Sequence, residues 1–219
     1  PRLPGYWRSG HPRRPGDPAH VEGPVGVANL VVPTRGRRDT GLMRVVAGTA
    51  GGRRLTAPPS GAMRPTSGLV REAVFNALHS RSAVVGTVVL DLFAGTGALG
   101  IEALSRGAAR ATFVDCSVEW ARLVEANLSA CGFADRAEVV VADGLNWLVA
   151  NRGPWDLVLL DPPYAFDNWP ALLDGPLVSS ATGMVVVESD REVDPGPSWN
   201  VGSTRRHGST VVMLLTPTD

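Results

Sequence analysis

From residue 43 onward, two kinds of apolar pattern take turns along the chain. Short runs in which nearly every position is apolar occur at residues 88–93, 111–115, 138–142 and 156–160. Around them lie stretches whose apolar residues recur every three or four positions, at residues 68–79, 98–105, 118–131 and 144–150. The first pattern suits strands buried on both faces, and the second suits helices that bury one stripe. Their alternation predicts an α/β fold, a mostly parallel sheet with helices on both faces. The helix after Asp115 has the clearest stripe, formed by Trp120, Leu123, Val124, Leu128 and Cys131, all expected in the core. Downstream, residues 184–187, 199–205 and 210–215 predict further strands, the last two as an antiparallel finish at a sheet edge. Upstream, residues 43–48 and 53–57 flank Gly51 and Gly52 and predict a β-hairpin. Pro, Gly and Arg dominate residues 1–17, and nothing periodic precedes a short apolar stretch at 25–32. Residues 1–42 are expected to be mostly disordered, or to be translated sequence upstream of a natural start at Met43 or near Val32.

The run ending at Leu160 stops abruptly in Asp161-Pro162-Pro163-Tyr164. Prolines have no N–H to give to a ladder and cannot enter a helix interior, so the backbone must leave the sheet here and stay extended. Polar groups are thereby released: the Asp161 carboxylate, the Pro162 carbonyl and, on Tyr164, a flat ring able to stack on a base. Together they suit a planar molecule bearing an exocyclic amine, which makes Asp161, Pro162, Pro163 and Tyr164 the candidate catalytic residues.

A second element, residues 89–100, joins a strand to a helix through glycines. Gly95, Gly97 and Gly100 have the dinucleotide-fingerprint spacing, and Asp115 ends the next strand, where an acid binds ribose hydroxyls. Taken alone, this fits a nicotinamide enzyme or a nucleoside-bearing cofactor without phosphate. Asp91, just before the turn, opposes a pyrophosphate and favours a ligand carrying an amine or a positive charge. Asp143 ends the third strand and can accept from an adenine amino group. Asp115 and Asp143 also suit plain helix N-caps. However, Asp91, Asp115 and Asp143 end three successive strands, and ligands of open α/β sheets bind outside those ends.

The chain of 219 residues is long enough to bury a good core as one domain. No apolar run approaches membrane-spanning length and the start lacks the order of a signal peptide, so a cytoplasmic protein is expected. Cys116 and Cys131 are the only cysteines, and His11, His20, His79 and His207 are scattered. Without ligand spacing, neither a metal site nor a disulfide is expected. All 21 basic residues are arginine, which removes a phosphate loop ending in lysine and any Schiff-base mechanism. The formal net charge is zero, yet residues 32–71 carry eight arginines, among them Arg44, Arg53, Arg54 and Arg64, against the single carboxylate of Asp39. Such one-sided charge is either a solvated arm or the footprint of phosphate binding, and nucleic-acid contact is the expectation.

Asp91 to Gly97 with Asp115, Asp143 and Asp161 to Tyr164 is similar to the amino-methyltransferase branch of the class I S-adenosylmethionine-dependent methyltransferases. More narrowly, Met43-Arg44-Val45-Val46-Ala47-Gly48, Arg64-Pro65-Thr66 with Val70-Arg71-Glu72-Ala73-Val74-Phe75-Asn76, and residues 90–107 resemble the RsmD family, with the likeness running over residues 43–215. The resemblance implies a Rossmann-like class I methyltransferase fold with a mostly parallel seven-stranded sheet and an N-terminal β-hairpin extension. It implies S-adenosyl-L-methionine as cofactor and methylation of N2 of a guanine in 16S ribosomal RNA, in the assembled 30S subunit; nothing in the sequence suggests an obligate oligomer, and a monomer is expected. Implied cofactor contacts are Phe75, Asn76, Asp91, Ala94, Gly95, Gly97, Asp115, Cys116, Asp143 and Gly144, with the helix carrying Phe75 and Asn76 closing over the cofactor. Implied RNA contacts are Arg44, Arg53, Arg54 and Arg64. The chain then divides into an extension (1–42), an arginine-rich hairpin appendage (43–65) and a catalytic domain (66–219). Two positions depart from the pattern. Residues 49–52 lack the aromatic and basic residues many relatives carry, which shifts RNA contact towards Arg53 and Arg54, and His207 stands where relatives often have tyrosine. Other readings of the same residues are a methyltransferase for another amine, such as adenine or a protein glutamine, and a non-catalytic RNA-binding module of this fold.

Overall fold

The computed structural model describes residues 43–57 and 67–218. Seven strands, β1 (Val88–Leu92), β2 (Arg110–Asp115), β3 (Ala137–Val141), β4 (Trp155–Leu160), β5 (Ala181–Ser189), β6 (Trp199–His207) and β7 (Thr210–Pro217), form one sheet in the order β3-β2-β1-β4-β5-β7-β6. Strands β1 to β5 pair parallel, and β7 runs antiparallel to both β5 and β6. Five α-helices accompany them: α1 (Gly68–His79), α2 (Ala98–Ser105), α3 (Val118–Cys131), α4 (Gly144–Ala150) and the short α5 (Trp169–Leu172).

The continuous apolar runs are explained by two cores, one on each face. Val89, Phe113, Leu157 and Leu159 join residues of α1, α2 and α3 in one cluster. Leu90, Leu92, Val158 and Leu160 join residues of α4 and α5 in the other. Alternate side chains of β1 and β4 therefore both meet apolar partners, and no polar face remains to produce alternation. The helix starts follow capping chemistry, with Ser67 accepting from the Val70 N–H, Ser117 from the Trp120 N–H and Asp143 from the Asn146 N–H.

Strand and helix meet closely at Gly100. A Cβ there would collide with the Phe113 ring and come within 3.0 Å of the Asp91 Oδ2. Because Phe113 is fully buried, the ring cannot swing away. Gly100→Ala is expected to destabilise the protein by about 1–3 kcal/mol through overpacking, read as a lower midpoint in urea unfolding; an unchanged midpoint would show that the contact relaxes freely.

Several expectations change on contact with the structure. Residues 43–57 do not make two regular strands: one antiparallel bridge, Arg44 with Arg54, closes a turn-rich loop. Nor does this loop hang off the sheet as an appendage, since Val45, Ala50 and Leu55 are buried in the same core as α1, α2 and α3. The hydrophobic residues of the arginine-rich segment thus hold it down. Arg64 and residues 1–42 lie outside the described residues. In α3, Trp120 is only half-buried, and the buried stripe is Ala121, Val124, Asn127, Leu128 and Cys131. Strand β5 extends well beyond the expected residues 184–187, and α5 was not foreseen.

Candidate active site

At the carboxyl end of β4 the ladder stops at Leu160, which is the last residue paired both with β1 (Leu92) and with β5 (Val187). The next residue, Asp161, is half-buried, Pro162 is buried, and Pro163 and Tyr164 are exposed. Among the described residues no donor takes the Pro162 carbonyl. The Phe166 N–H closes a turn back onto the Pro163 carbonyl at 2.8 Å, and this turn presents Tyr164. Two partners hold Tyr164: Thr210 Oγ1 lies 3.1 Å from its hydroxyl, and the Arg191 guanidinium donates to its carbonyl at 3.2 Å. Arg191 also donates to the Phe166 carbonyl and to Asp167, so one side chain braces the whole loop while 41 % of Tyr164 stays accessible.

The glycine turn sits alongside, at the end of β1. Gly95 and Gly97 have φ of 53° and 75°, and Phe93 reaches φ 70°, a conformation an aromatic residue adopts only when its surroundings enforce it. The Phe93 ring packs on Phe166 at 5.3 Å, and Phe166 meets Trp169 edge-on at 5.0 Å, tying the turn to the loop after β4. Ala94 is fixed by its N–H on the Val114 carbonyl, and Gly144 backs onto Leu92 and Phe93.

Three acids approach this region. The Asp115 carboxylate accepts from the Gly95 N–H at 2.8 Å and from the Ser117 N–H at 2.9 Å. It is held in place by two backbone donors while each oxygen keeps a further lone pair for a ligand hydroxyl. Asp143 caps α4 through one oxygen. Asp91 is buried on the α2 side of the sheet and accepts from the Gly100 N–H at 2.8 Å. Burial pushes its carboxyl up to about 8; the Gly100 N–H pulls the other way, and the Asp161 and Asp115 charges add to the rise. The case for Asp91 changes accordingly. Without a cation beside it, Asp91 is largely neutral at pH 7, so the charge that opposes a pyrophosphate comes chiefly from its neighbours.

A pH dependence follows. The folded chain keeps the Asp91 proton that the unfolded chain releases above its ordinary value of 3.8, so this group favours unfolding progressively as pH rises from about 4 to about 8. Asp91→Asn keeps an acceptor for Gly100 and lacks the ionisation. Its melting temperature relative to the parent is expected to rise across that window, and parallel curves from pH 5 to pH 8 would contradict the assignment.

The surroundings of the other expected residues differ. Phe75 is fully buried in the core, and the guanidinium of Arg106 lies 5.3 Å from its ring centroid. Asn76 is exposed, and its side-chain oxygen accepts from Arg106 at 3.4 Å. Arg106 caps the C-terminus of α2, and its guanidinium reaches back along the helix to Glu102 at 2.7 Å. Phe75 and Asn76 thus meet α2 through the Arg106 side chain. Cys116 is exposed beside Asp115. Arg44 spends its guanidinium on the Gly52 carbonyl, and Arg53 donates to the Ala130 carbonyl at 2.5 Å, near the C-terminus of α3. That places Arg53 roughly 20 Å along α3 from Ser117, remote from the strand carboxyl ends. Arg54 is exposed. Sequence reasoning missed Thr210, Arg191 and Glu188, the last buried at the end of β5.

Comparison with known proteins places this arrangement. Residues 43–216 match the family described as Conserved hypothetical protein 95. The chain belongs to this family, the RsmD family. The ribosomal RNA small subunit methyltransferase D of Escherichia coli K12 is 38% identical over 125 residues, covering 57% of this chain and 62% of that protein, short of two thirds of its length. "Putative rRNA methyltransferase YlbH" of Bacillus subtilis is 37% identical over 69% of this chain and 85% of its own. The solved "Putative methyltransferase yhhF" of Escherichia coli superposes with a TM-score of 0.70 at 31% identity, covering 81% of this chain and 98% of that one. An RNA methyltransferase of Salinibacter ruber, solved with S-adenosyl-L-homocysteine, shares the fold at a TM-score of 0.57 and 20% identity, over 71% of this chain and 95% of that one. The RsmD-family chain thus has the Rossmann-like methyltransferase fold. No helix among its described residues is long and apolar enough to cross a membrane.

Proposed function

We propose that this RsmD-family protein methylates the exocyclic N2 amine of a guanine in 16S ribosomal RNA, within the assembled 30S subunit, using S-adenosyl-L-methionine. The observation that carries this reading is the end of β4: an acid, a carbonyl left over by the ladder and an accessible aromatic ring follow one another where the strand leaves the sheet. The relatives' names, as rRNA methyltransferases, supply the substrate class.

The residues present fit the cofactor. The glycine turn admits close approach, Asp115 is held with lone pairs to spare for ribose hydroxyls, and Asp143 is exposed beside Gly144 to accept from an adenine amine. Asp161 gives the site a carboxylate that offsets a positive charge, and a cation bound nearby would favour the ionised form of Asp91. When bound, the cofactor supplies an electrophilic methyl group.

The remaining task belongs to the chain. A guanine amine is a weak nucleophile because its lone pair is delocalised into the ring. In this reading Asp161 and the Pro162 carbonyl accept its two N–H bonds, which favours a more tetrahedral nitrogen and directs the lone pair at the methyl group. Tyr164 stacks on the base, and its tie to Thr210 keeps the ring from turning. A paired base cannot reach this loop, so the guanine must be unpaired or flipped out. Asp161 then takes the proton released from the amine. Such a protein works in the bacterial cytoplasm.

The test is transfer of labelled methyl from the cofactor to 30S subunits, naked 16S RNA, DNA and total protein. Label that disappears with RNase supports the reading. Label resistant to RNase and lost with protease would move the substrate to a protein amine, and cofactor binding without any transfer would leave a binding module.

A further inference from the structure

The β6–β7 hairpin stands beside the loop that carries Tyr164. Thr210, the first residue of β7, meets the Tyr164 hydroxyl and pairs across the hairpin with His207. Preceding His207 on β6, Arg206 pairs with Val211 and Arg205 with Val212. Val212 pairs in turn with Glu188 at the end of β5. Arg205 therefore shares a cross-strand row and a sheet face with Glu188, about 10 Å away at a strand spacing of about 4.8 Å. Strand β6 is the sheet edge, and because it runs parallel to β4, its C-terminal residues lie at the same end as Asp161.

Arg205 and Arg206 are both exposed. Neither guanidinium makes a hydrogen bond or ion pair within the described residues, unlike Arg191, Arg71 and Arg106, which are engaged. Arg110 and Arg152, also exposed, start β2 and precede β4 and so lie at the opposite end. As consecutive strand residues, Arg205 and Arg206 project to opposite faces, and their guanidiniums straddle the edge strand. Two free cations in this position suit a polyanion crossing the edge next to Tyr164.

We propose that the β6–β7 hairpin, through Arg205 and Arg206, binds RNA backbone phosphates flanking the target nucleotide. The proposal rests on the RNA substrate proposed above. A nucleotide whose base stacks on Tyr164 carries its phosphates one sugar away, within the span of an arginine side chain anchored two residues beyond the Tyr164–Thr210 contact. The hairpin then serves twice: Thr210 orients the ring, and the arginines hold the strand from which the base is drawn. This contact gives register, with sequence left to other interactions.

The test compares the parent protein with Arg205→Ala/Arg206→Ala, Arg205→Lys/Arg206→Lys and, as control, Arg110→Ala/Arg152→Ala. Methylation of 30S subunits and 16S RNA is measured from about 50 to 200 mM salt, with cofactor binding measured separately. The alanine pair at 205 and 206 is expected to raise KM for RNA about tenfold or more and to flatten the slope of log(kcat/KM) against log[salt] by about 1.5, at about 0.7–0.9 per phosphate contact. Its kcat at saturating RNA and its cofactor affinity should stay within twofold. The lysine pair should recover most of the slope, and the control should match the parent. An active parent whose alanine pair has the same KM and salt slope overturns this inference alone. A parent that methylates no RNA overturns the RNA reading and this inference with it.

Discussion

Asp161→Ala is expected to lower kcat for methyl transfer by about 10²–10³-fold, the loss typical of removing one preorganised polar group from a reacting centre. Cofactor affinity should fall far less than kcat, because in this reading Asp115, Asp143 and the glycine turn remain to hold the cofactor. The carbonyl of Pro162 remains in the variant, so one of the two acceptors for the amine survives and some activity persists. Asp161→Asn should fall between the parent and alanine: its amide retains an oxygen acceptor but cannot take the proton. Single-turnover rates together with equilibrium cofactor binding separate these effects. A kcat within threefold of the parent for the alanine variant would remove Asp161 from the chemistry and shift the weight to the Pro162 carbonyl and Tyr164.

Glu102→Ala should give the largest stability loss, about 3–5 kcal/mol, because a fully buried carboxylate with charged partners is removed from one side only. Oε2 of Glu102 accepts from the Val46 N–H at 2.7 Å, and Oε1 from the Ala47 N–H at 3.0 Å and from Arg106 at 2.7 Å. The Arg71 guanidinium, itself buried, lies 3.7 Å away and donates to the Arg44 carbonyl. Burial lowers the Arg71 pKa, and Glu102 is the chief charge holding it up. One side chain on α2 thus joins the loop at residues 43–57 and α1. Its loss leaves two part-buried amides and the Arg106 guanidinium without their acceptor and takes from buried Arg71 its nearest opposite charge. A melting temperature lower by about 10 °C is expected, with the earliest loss of amide-exchange protection in residues 45–55. A drop of less than about 2 °C would show that water or a shifted Arg71 replaces the carboxylate.

The parts of this protein readable in advance are those governed by local covalent constraint. Two prolines force β4 out of the sheet whatever surrounds them, and glycines at positions 95 and 97 supply the positive φ that the turn requires. Element boundaries along β1, α2, α3 and α4 follow from periodicity and from capping serines and acids, and these were nearly right. What escaped depends on partners distant in sequence. Thr210 lies 46 residues beyond Tyr164 and Arg191 lies 27 beyond, and no pattern within either segment announces the meeting. A helical stripe says that Phe75 is buried but not against what, and the Arg106 guanidinium over its ring comes from the end of α2. The charge pattern cannot show that Arg44 donates to a carbonyl of its own loop and Arg53 to the end of α3. Arg205 and Arg206, exposed on β6 at the same end of the sheet as the catalytic loop, lie outside the segment that the charge pattern singles out. The four-residue α5 is too short for periodicity to reveal, and its Pro170 marks only a start.

The most direct test of the account is nucleoside analysis of 16S RNA from undermethylated 30S subunits after incubation with the cofactor and either the parent protein or Asp161→Ala. The account predicts N2-methylguanosine at one site with the parent and its near absence with the variant. Methyl groups on adenine, on another guanine atom or on ribosomal protein, or equal N2-methylguanosine from both proteins, would contradict it.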